Sequence, residues 1–202
     1  VTDLLGIVLA GGRGGRLNLG IPKALATLGG STLLARALAV AREVADEVIV
    51  CAPASLGLPV PASASVFDPE PGEGPLVALV AALRARPFAR AIVLGVDLPF
   101  MTADALGRVA TMCGPESAVV PAPGGRAQPL AAAYSPAVIA PLAAAVARGE
   151  RALVPAVLAL PPRLVTYAEL RSALGSTDAY FNLNTPADLA EAGRRIATGA
   201  AR

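Results

Sequence analysis

A chain of 202 residues, 54% of them apolar, with 17 basic against 15 acidic side chains, can bury a sizeable core, and its formal net charge of +2 is too small to argue for a nucleic-acid surface. It contains no histidine and only two cysteines, Cys51 and Cys113, which excludes Cys/His zinc clusters and histidine-based triads; any metal is left to oxygen ligands, favouring magnesium or manganese. No apolar run approaches the roughly 18 residues of a membrane span, and Asp3 stands where a signal peptide would carry basic residues, so a cytoplasmic protein without a membrane partner is expected.

The apolar run Leu4–Ala10 has the length of a buried strand and breaks into Gly11, Gly12, Gly14 and Gly15 with Arg13 and Arg16, before Pro22-Lys23. Such a loop lets backbone approach an anion closely. It is neither a Walker P-loop, since Pro22 precedes Lys23 and no Ser or Thr follows it, nor a dinucleotide fingerprint, since no Gly-x-Gly-x-x-Gly threads through residues 11–20. Ser31 is positioned to cap a helix carrying Leu33, Leu34, Ala37, Leu38 and Val40, and Val48–Cys51 reads as a second buried strand. A short third strand is expected at Ala64–Phe67. Three prolines and two glycines then exclude regular structure from the carboxylate-rich loop Asp68–Pro75, and Pro75 opens a helix to about Arg86.

Ala91–Leu94 supplies a fourth strand, which runs into Gly95-Val96-Asp97-Leu98-Pro99 and so places a carboxylate just past a strand's carboxyl end. Thr102 caps the next helix, to Cys113, and Ala118–Pro121 is a fifth strand. Beyond it a tight turn or hairpin is expected at Gly124–Pro129, a strand at Leu130–Tyr134, helices at Pro136–Arg148 and Ala152–Leu160, and strands at Leu164–Tyr167 and Tyr180–Asn184. Thr185, Pro186 and Asp188 form the start signal of the last helix. This β-α-β alternation predicts an α/β fold of three layers, a mostly parallel twisted sheet with helices on both faces.

In such sheets ligands bind outside the carboxyl ends of strands, so Arg16, Lys23, Asp68 and Asp97 are expected in one crevice. Two cations beside a metal-competent carboxylate suit a nucleoside triphosphate, because phosphate charge is neutralised and departing pyrophosphate stabilised without proton transfer to a histidine. Each residue also has a plainer reading: Asp68 before Pro69 is a turn former, Lys23 a solvated charge, and Asn182 and Asn184 satisfiers of backbone groups at a strand end.

Taken together, Leu9-Ala10-Gly11-Gly12 with Arg16 and Lys23, Gly74-Pro75-Leu76, Val96-Asp97-Leu98-Pro99, Gln128-Pro129-Leu130, Gly149-Glu150-Arg151 and Asn182-Leu183-Asn184-Thr185-Pro186 resemble, in order and spacing, the molybdenum cofactor guanylyltransferases. The resemblance covers nearly the whole chain. It implies a Rossmann-like nucleotidyltransferase fold in one domain, with a nucleotide-binding half over about 1–100 and an acceptor-binding half over about 101–202. It implies transfer of GMP from GTP to molybdopterin, with magnesium (or manganese) and loss of pyrophosphate, and cofactor-delivery proteins or molybdoenzymes as further partners.

Carried over by position, the resemblance implies that Leu9, Ala10, Gly11 and Gly12 hold the nucleotide with Asp68, that Arg16 and Lys23 meet its phosphates, and that Asp97 ligates magnesium. Gln128, Arg151, Asn182 and Asn184 fall on the acceptor side. The second glycine of Leu-Ala-Gly-Gly points to GTP where related cytidylyltransferases more often read Leu-Ala-Ala-Gly. The chain departs from the common pattern at Leu17-Asn18, Pro22, Cys51 and Gln128. The alternatives are a nucleotidyltransferase using CTP or another phosphorylated acceptor and, in a different class, a non-catalytic nucleotide-binding scaffold.

Overall fold

A computed structural model describes residues 1–11, 17, 20–68, 73–115, 118–174 and 178–199. Nine strands occur among them. Seven make one sheet: β1 (Thr2–Leu9), β4 (Glu47–Ala52), β5 (Ser65–Phe67), β6 (Phe88–Gly95), β7 (Ala118–Ala122), β8 (Ala131–Tyr134) and β9 (Arg163–Thr166), in the order β5-β4-β1-β6-β8-β7-β9. Only β8 runs against its neighbours, pairing antiparallel with both β6 and β7, so the sheet is mostly parallel as the β-α-β alternation predicts.

Period-two alternation along the strands divides the core into two layers. Leu5, Ile7 and Leu9 of β1 and Ala91 and Val93 of β6 face α2 (Pro75–Arg84), α4 (Ile139–Ala147) and α5 (Leu153–Leu158). Val8, Ile92 and Leu94 face the opposite layer, with α1 (Leu33–Val44), α3 (Ala103–Thr111), α6 (Tyr167–Leu174) and α7 (Pro186–Ala197). With helices on both sides, the central strands are apolar on both faces, which is why β1 and β6 read as continuous apolar runs.

The register sets the strand ends level: Leu9 stands opposite Cys51 on one side and Gly95 on the other. The loops leaving β1, β4 and β6 therefore start at one edge. The reversed β8 brings a fourth loop there, because the β7–β8 connection must begin where β7 ends and finish where β8 starts. Gly95 N–H donates to the Leu130 carbonyl at 2.8 Å, and Gln128 N–H to the Pro121 carbonyl at 2.8 Å, which fixes this connection at the same edge.

Several local expectations are corrected. The cap of α1 is Thr32, whose side chain accepts from Ala35 N–H, because α1 starts at Leu33, one residue later than a Ser31 cap requires; both Ser31 and Thr32 also belong to a short antiparallel pair of β2 (Thr27–Leu28) with β3 (Ser31–Thr32). Residues 136–148 form a short 3-10 turn at Pro136–Val138 followed by α4, with Pro141 tolerated in the first turn, where no intrahelical N–H is needed. The strand at 163–166 ends one residue before the expected limit because Tyr167 starts α6, a helix the sequence reading did not include. Tyr180–Asn184 is not a strand. Asp178–Tyr180 is a 3-10 turn, and side chains replace a ladder beyond it: Asn182 Nδ2 donates to the Tyr180 carbonyl and Asp188 Oδ2 accepts from Asn184 N–H.

Candidate active site

The carboxyl edge gathers residues from both ends of the chain. Pro22 has φ −54°, and its ring presets the turn that begins at Lys23, with Leu25 N–H donating to the Pro22 carbonyl and Ala26 N–H to that of Lys23. The turn carries Lys23, the only lysine in the sequence, into the protein, where it is 8% exposed. Its ammonium donates to Asn184 Oδ1 at 2.9 Å and lies 4.0 Å from Asp97 Oδ2. A buried ammonium is strongly disfavoured without such partners.

Asp97 sits two residues past β6. Its carbonyl accepts from Leu183 N–H at 2.8 Å, so the irregular segment before α7 is tied to the same turn that presents the carboxylate. Gly95 is required here: a Cβ on it would run into Asp97 Oδ1 and would stand 3.2 Å from Leu130 Cβ. The absence of a side chain at 95 thus lets Asp97 turn back over the strand end.

On the other side of β1, Leu9 and Ala10 are buried, so this stretch can offer a ligand backbone only. Ala10 N–H is already donated to the Cys51 carbonyl at 2.9 Å, which moves any available backbone donor to Gly11 and beyond. A Cβ placed on Gly11 would stand 3.9 Å from Asp68 Oδ2 and 3.3 Å from Pro53 Cδ, so the glycine and the Asp68 carboxylate face each other. Burial first, then the charge of Asp68, pushes the Cys51 thiol up to about 12; it is a packed, protonated side chain that touches the Ala78 carbonyl. Gly12 and Arg16 lie outside the described residues.

A cleft of about 740 Å³ extends from Asp97 away from β1, lined by the β7–β8 connection, the start of α5 and the 178–184 segment. Gln128, Asn182 and Asn184 line it. The Arg151 side chain turns elsewhere: it donates to Glu73 Oε2 at 2.9 Å and to the Val146 and Glu150 carbonyls, bracing the entry of α2. Gly74 completes that brace, since its φ of +102° and the Arg151 carbonyl, which would lie 2.8 Å from a Cβ, both require glycine.

Two cationic cleft residues were not singled out by the sequence. Arg126 is exposed, and while its backbone N–H donates to the Pro123 carbonyl, its guanidinium makes no hydrogen bond or ion pair to the described residues. Arg195 is bound to Glu191 at 2.8 Å and lies with its guanidinium 4.5 Å from the centre of the Phe181 ring, which in turn packs on Phe100 at 5.7 Å. The Gly-Gly-Arg turn could have flagged Arg126. No local signal marks Arg195, which reaches the cleft only through the packing of α7.

No group of three or more His, Cys, Asp or Glu placed to hold a metal occurs among the described residues. The single carboxylate of Asp97 just past β6 fits magnesium of the kind bound chiefly by substrate phosphates and water, and does not fit a resident all-protein cage. Asp97 is the residue that would hold it.

Residues 6–162 match the model of the MobA-like NTP transferase domain. The chain belongs to that family. Among its relatives, a probable molybdenum cofactor guanylyltransferase of Pelotomaculum thermopropionicum is 31% identical over 192 residues, covering 93% of this chain and 90% of the relative. The molybdenum cofactor guanylyltransferase of Cereibacter sphaeroides is 34% identical over 198 residues, 94% and 95% of the two chains. Of solved structures, molybdopterin-guanine dinucleotide biosynthesis protein A from Archaeoglobus fulgidus shares the fold with a TM-score of 0.81 at 24% identity, over 96% of this chain and 99% of that one. The 2-C-methyl-D-erythritol 4-phosphate cytidylyltransferase of Thermus thermophilus also superposes, with a TM-score of 0.69 at 26% identity over 95% and 98%. The MobA-like chain is therefore an α/β nucleotidyltransferase, and none of its described helices is long and apolar enough to cross a membrane.

Proposed function

We propose that the protein transfers GMP from GTP to the terminal phosphate of molybdopterin, releasing pyrophosphate. The observation that carries the reading is the pairing of Lys23 with Asp97, 4.0 Å apart where the β1 and β6 loops open into the cleft. In the reaction an acceptor phosphate oxygen forms a bond to the α-phosphorus while the bond from that phosphorus to the bridging oxygen breaks, its electron pair leaving with pyrophosphate. A phosphate monoester is already anionic near neutrality, so the nucleophile needs no base, in keeping with a chain that lacks histidine.

The residues act by position and charge. Gly11 offers backbone beside the Asp68 carboxylate at the nucleotide end. Lys23, held by Asn184, places its ammonium against the triphosphate, and Arg16 is assigned the same task. Asp97 would hold magnesium, which when bound supplies charge neutralisation on the phosphates. On the acceptor side Arg126 faces the cleft as an anion-binding guanidinium, with Gln128 and Asn182 beside it as hydrogen-bonding groups for a flat heterocycle.

The likeness to a cytidylyltransferase keeps a second nucleotide in view. Incubation with magnesium and molybdopterin in the presence of GTP or CTP, followed by mass identification of the product, separates the two. The guanine dinucleotide of the pterin with equimolar pyrophosphate is expected. A cytosine product, or nucleotide binding with no transfer from either triphosphate, would overturn the reading.

A further inference from the structure

Lys23 is fixed by a segment remote from it in sequence, and the chain of bonds does not stop at Asn184. Asp188, in the first turn of α7, accepts through Oδ2 from Asn184 N–H at 2.9 Å and from Thr185 N–H at 2.7 Å. Thr185 Oγ1 accepts in return from Asp188 N–H at 3.2 Å, which closes a capping box at the helix start. An ordinary capping box satisfies the N-cap N–H; here the same carboxylate oxygen also takes the N–H of the preceding residue. That second bond fixes the Asn184 backbone, and so the direction of the side-chain oxygen on which the Lys23 ammonium rests at 2.9 Å. The Asp188 carboxyl is held below its ordinary range, first by the Asn184 N–H and also by the Lys23 charge, so the two groups sense each other across Asn184.

We propose that Asp188 is a positioning residue for Lys23: the capping box of α7 aims the sole lysine at the nucleotide through Asn184. The Leu183 N–H bond to the Asp97 carbonyl means that the same segment registers both charged groups of the crevice. The last helix is thereby coupled to the geometry of the first loop, across a sequence separation of 161 positions between Lys23 and Asn184. That Lys23 meets the triphosphate rests on the functional reading above. That Asp188 orients Lys23 does not.

Because Lys23 is the only lysine, protein labelled with 13C,15N-lysine gives one side-chain spin system, a direct report on this contact. Wild type should show two resolved ε-methylene proton signals, as a fixed ammonium requires. In Asp188→Ala they should collapse towards a single averaged signal. GTP affinity, measured with magnesium by calorimetry and without any acceptor, should fall about tenfold in that variant, the loss expected when a charge-assisted contact is mis-aimed. Thr185→Ala is the control. It removes the other half of the box and lowers thermal stability, yet leaves Asp188 free to bind Asn184 N–H, so the Lys23 signals and GTP affinity should persist, and Asp188→Glu should restore them.

Unchanged Lys23 signals in Asp188→Ala, or equal losses in Asp188→Ala and Thr185→Ala, would overturn the proposal by reducing Asp188 to a helix cap. Failure of wild type to transfer GMP would instead sink the functional reading and leave the spectra to decide this one.

Discussion

The two halves of the carboxyl edge are built on different principles. The half around β1, β4 and β6 is made by parallel strands in register, and its functional groups are few, buried or half-buried, and mutually bound: Lys23 to Asn184 and Asp97, with Gly11 opposite Asp68. The half around β7, β8 and α5 is made by a reversed strand and an irregular segment, and it is a wide cleft lined by the exposed Arg126 and the half-buried Arg195 and Phe181. A rigid, charge-balanced cradle suits a triphosphate whose reacting phosphorus must be placed closely. The broader cleft suits an acceptor that brings a flat ring system and one anionic end.

That division predicts unequal responses to substitution. The largest belongs to Asp97→Ala, which should lower turnover by about 10³-fold or more with the circular dichroism spectrum unchanged; near-normal transfer would remove Asp97 from the reaction. Next is Gly95→Ala, which touches no ligand. Its methyl displaces the Asp97 carboxylate, and a misplacement of about 1 Å is worth roughly 10²-fold in turnover. Wild-type kinetics there would show that the Asp97 orientation does not matter.

Arg126→Ala sharpens the contrast from the other side. Its expected effect is a rise of about tenfold in acceptor KM, the loss of one charge-assisted contact, with GTP KM unchanged. A change in GTP KM alone would place Arg126 in the nucleotide half. The smallest effect is on stability in acid. The Asp188 carboxyl is depressed below its ordinary 3.8, so its contribution is present above that pH and is lost as pH falls through the lower folded-state value. Melting curves of wild type and Asp188→Asn should therefore differ near about pH 6 and draw together as the pH falls below 3.8; a constant difference would contradict the assignment.

The same division separates what the sequence shows from what it hides. Buried parallel strands are apolar throughout, and Pro75, Thr102 and Thr185 with Pro186 announce helix starts, so the sheet and most helices can be read directly. The edge loops that carry Lys23 and Asp97 follow from the rule that ligands sit beyond strand ends. The reversed direction of β8 is not written in its Ala-Ala-Ala-Tyr sequence, because alternation is the same for either direction. The run Tyr180–Asn184 has strand-like residues, yet Asn and Asp side chains satisfy its backbone locally, a competition visible only when Asp188 is seen folded back on Asn184. Arg151 looks like a ligand residue by position, and only its contact with Glu73 reveals a brace.

One kinetic comparison bears most directly on the division of labour: initial rates of Lys23→Ala with GTP and the pterin acceptor varied independently. The account predicts a loss of about 10²-fold in kcat/KM for GTP, the size seen when a preorganised charge facing the reacting group is removed, with acceptor KM within about twofold of wild type. An unaltered GTP dependence, or a loss expressed wholly in acceptor KM, would contradict it.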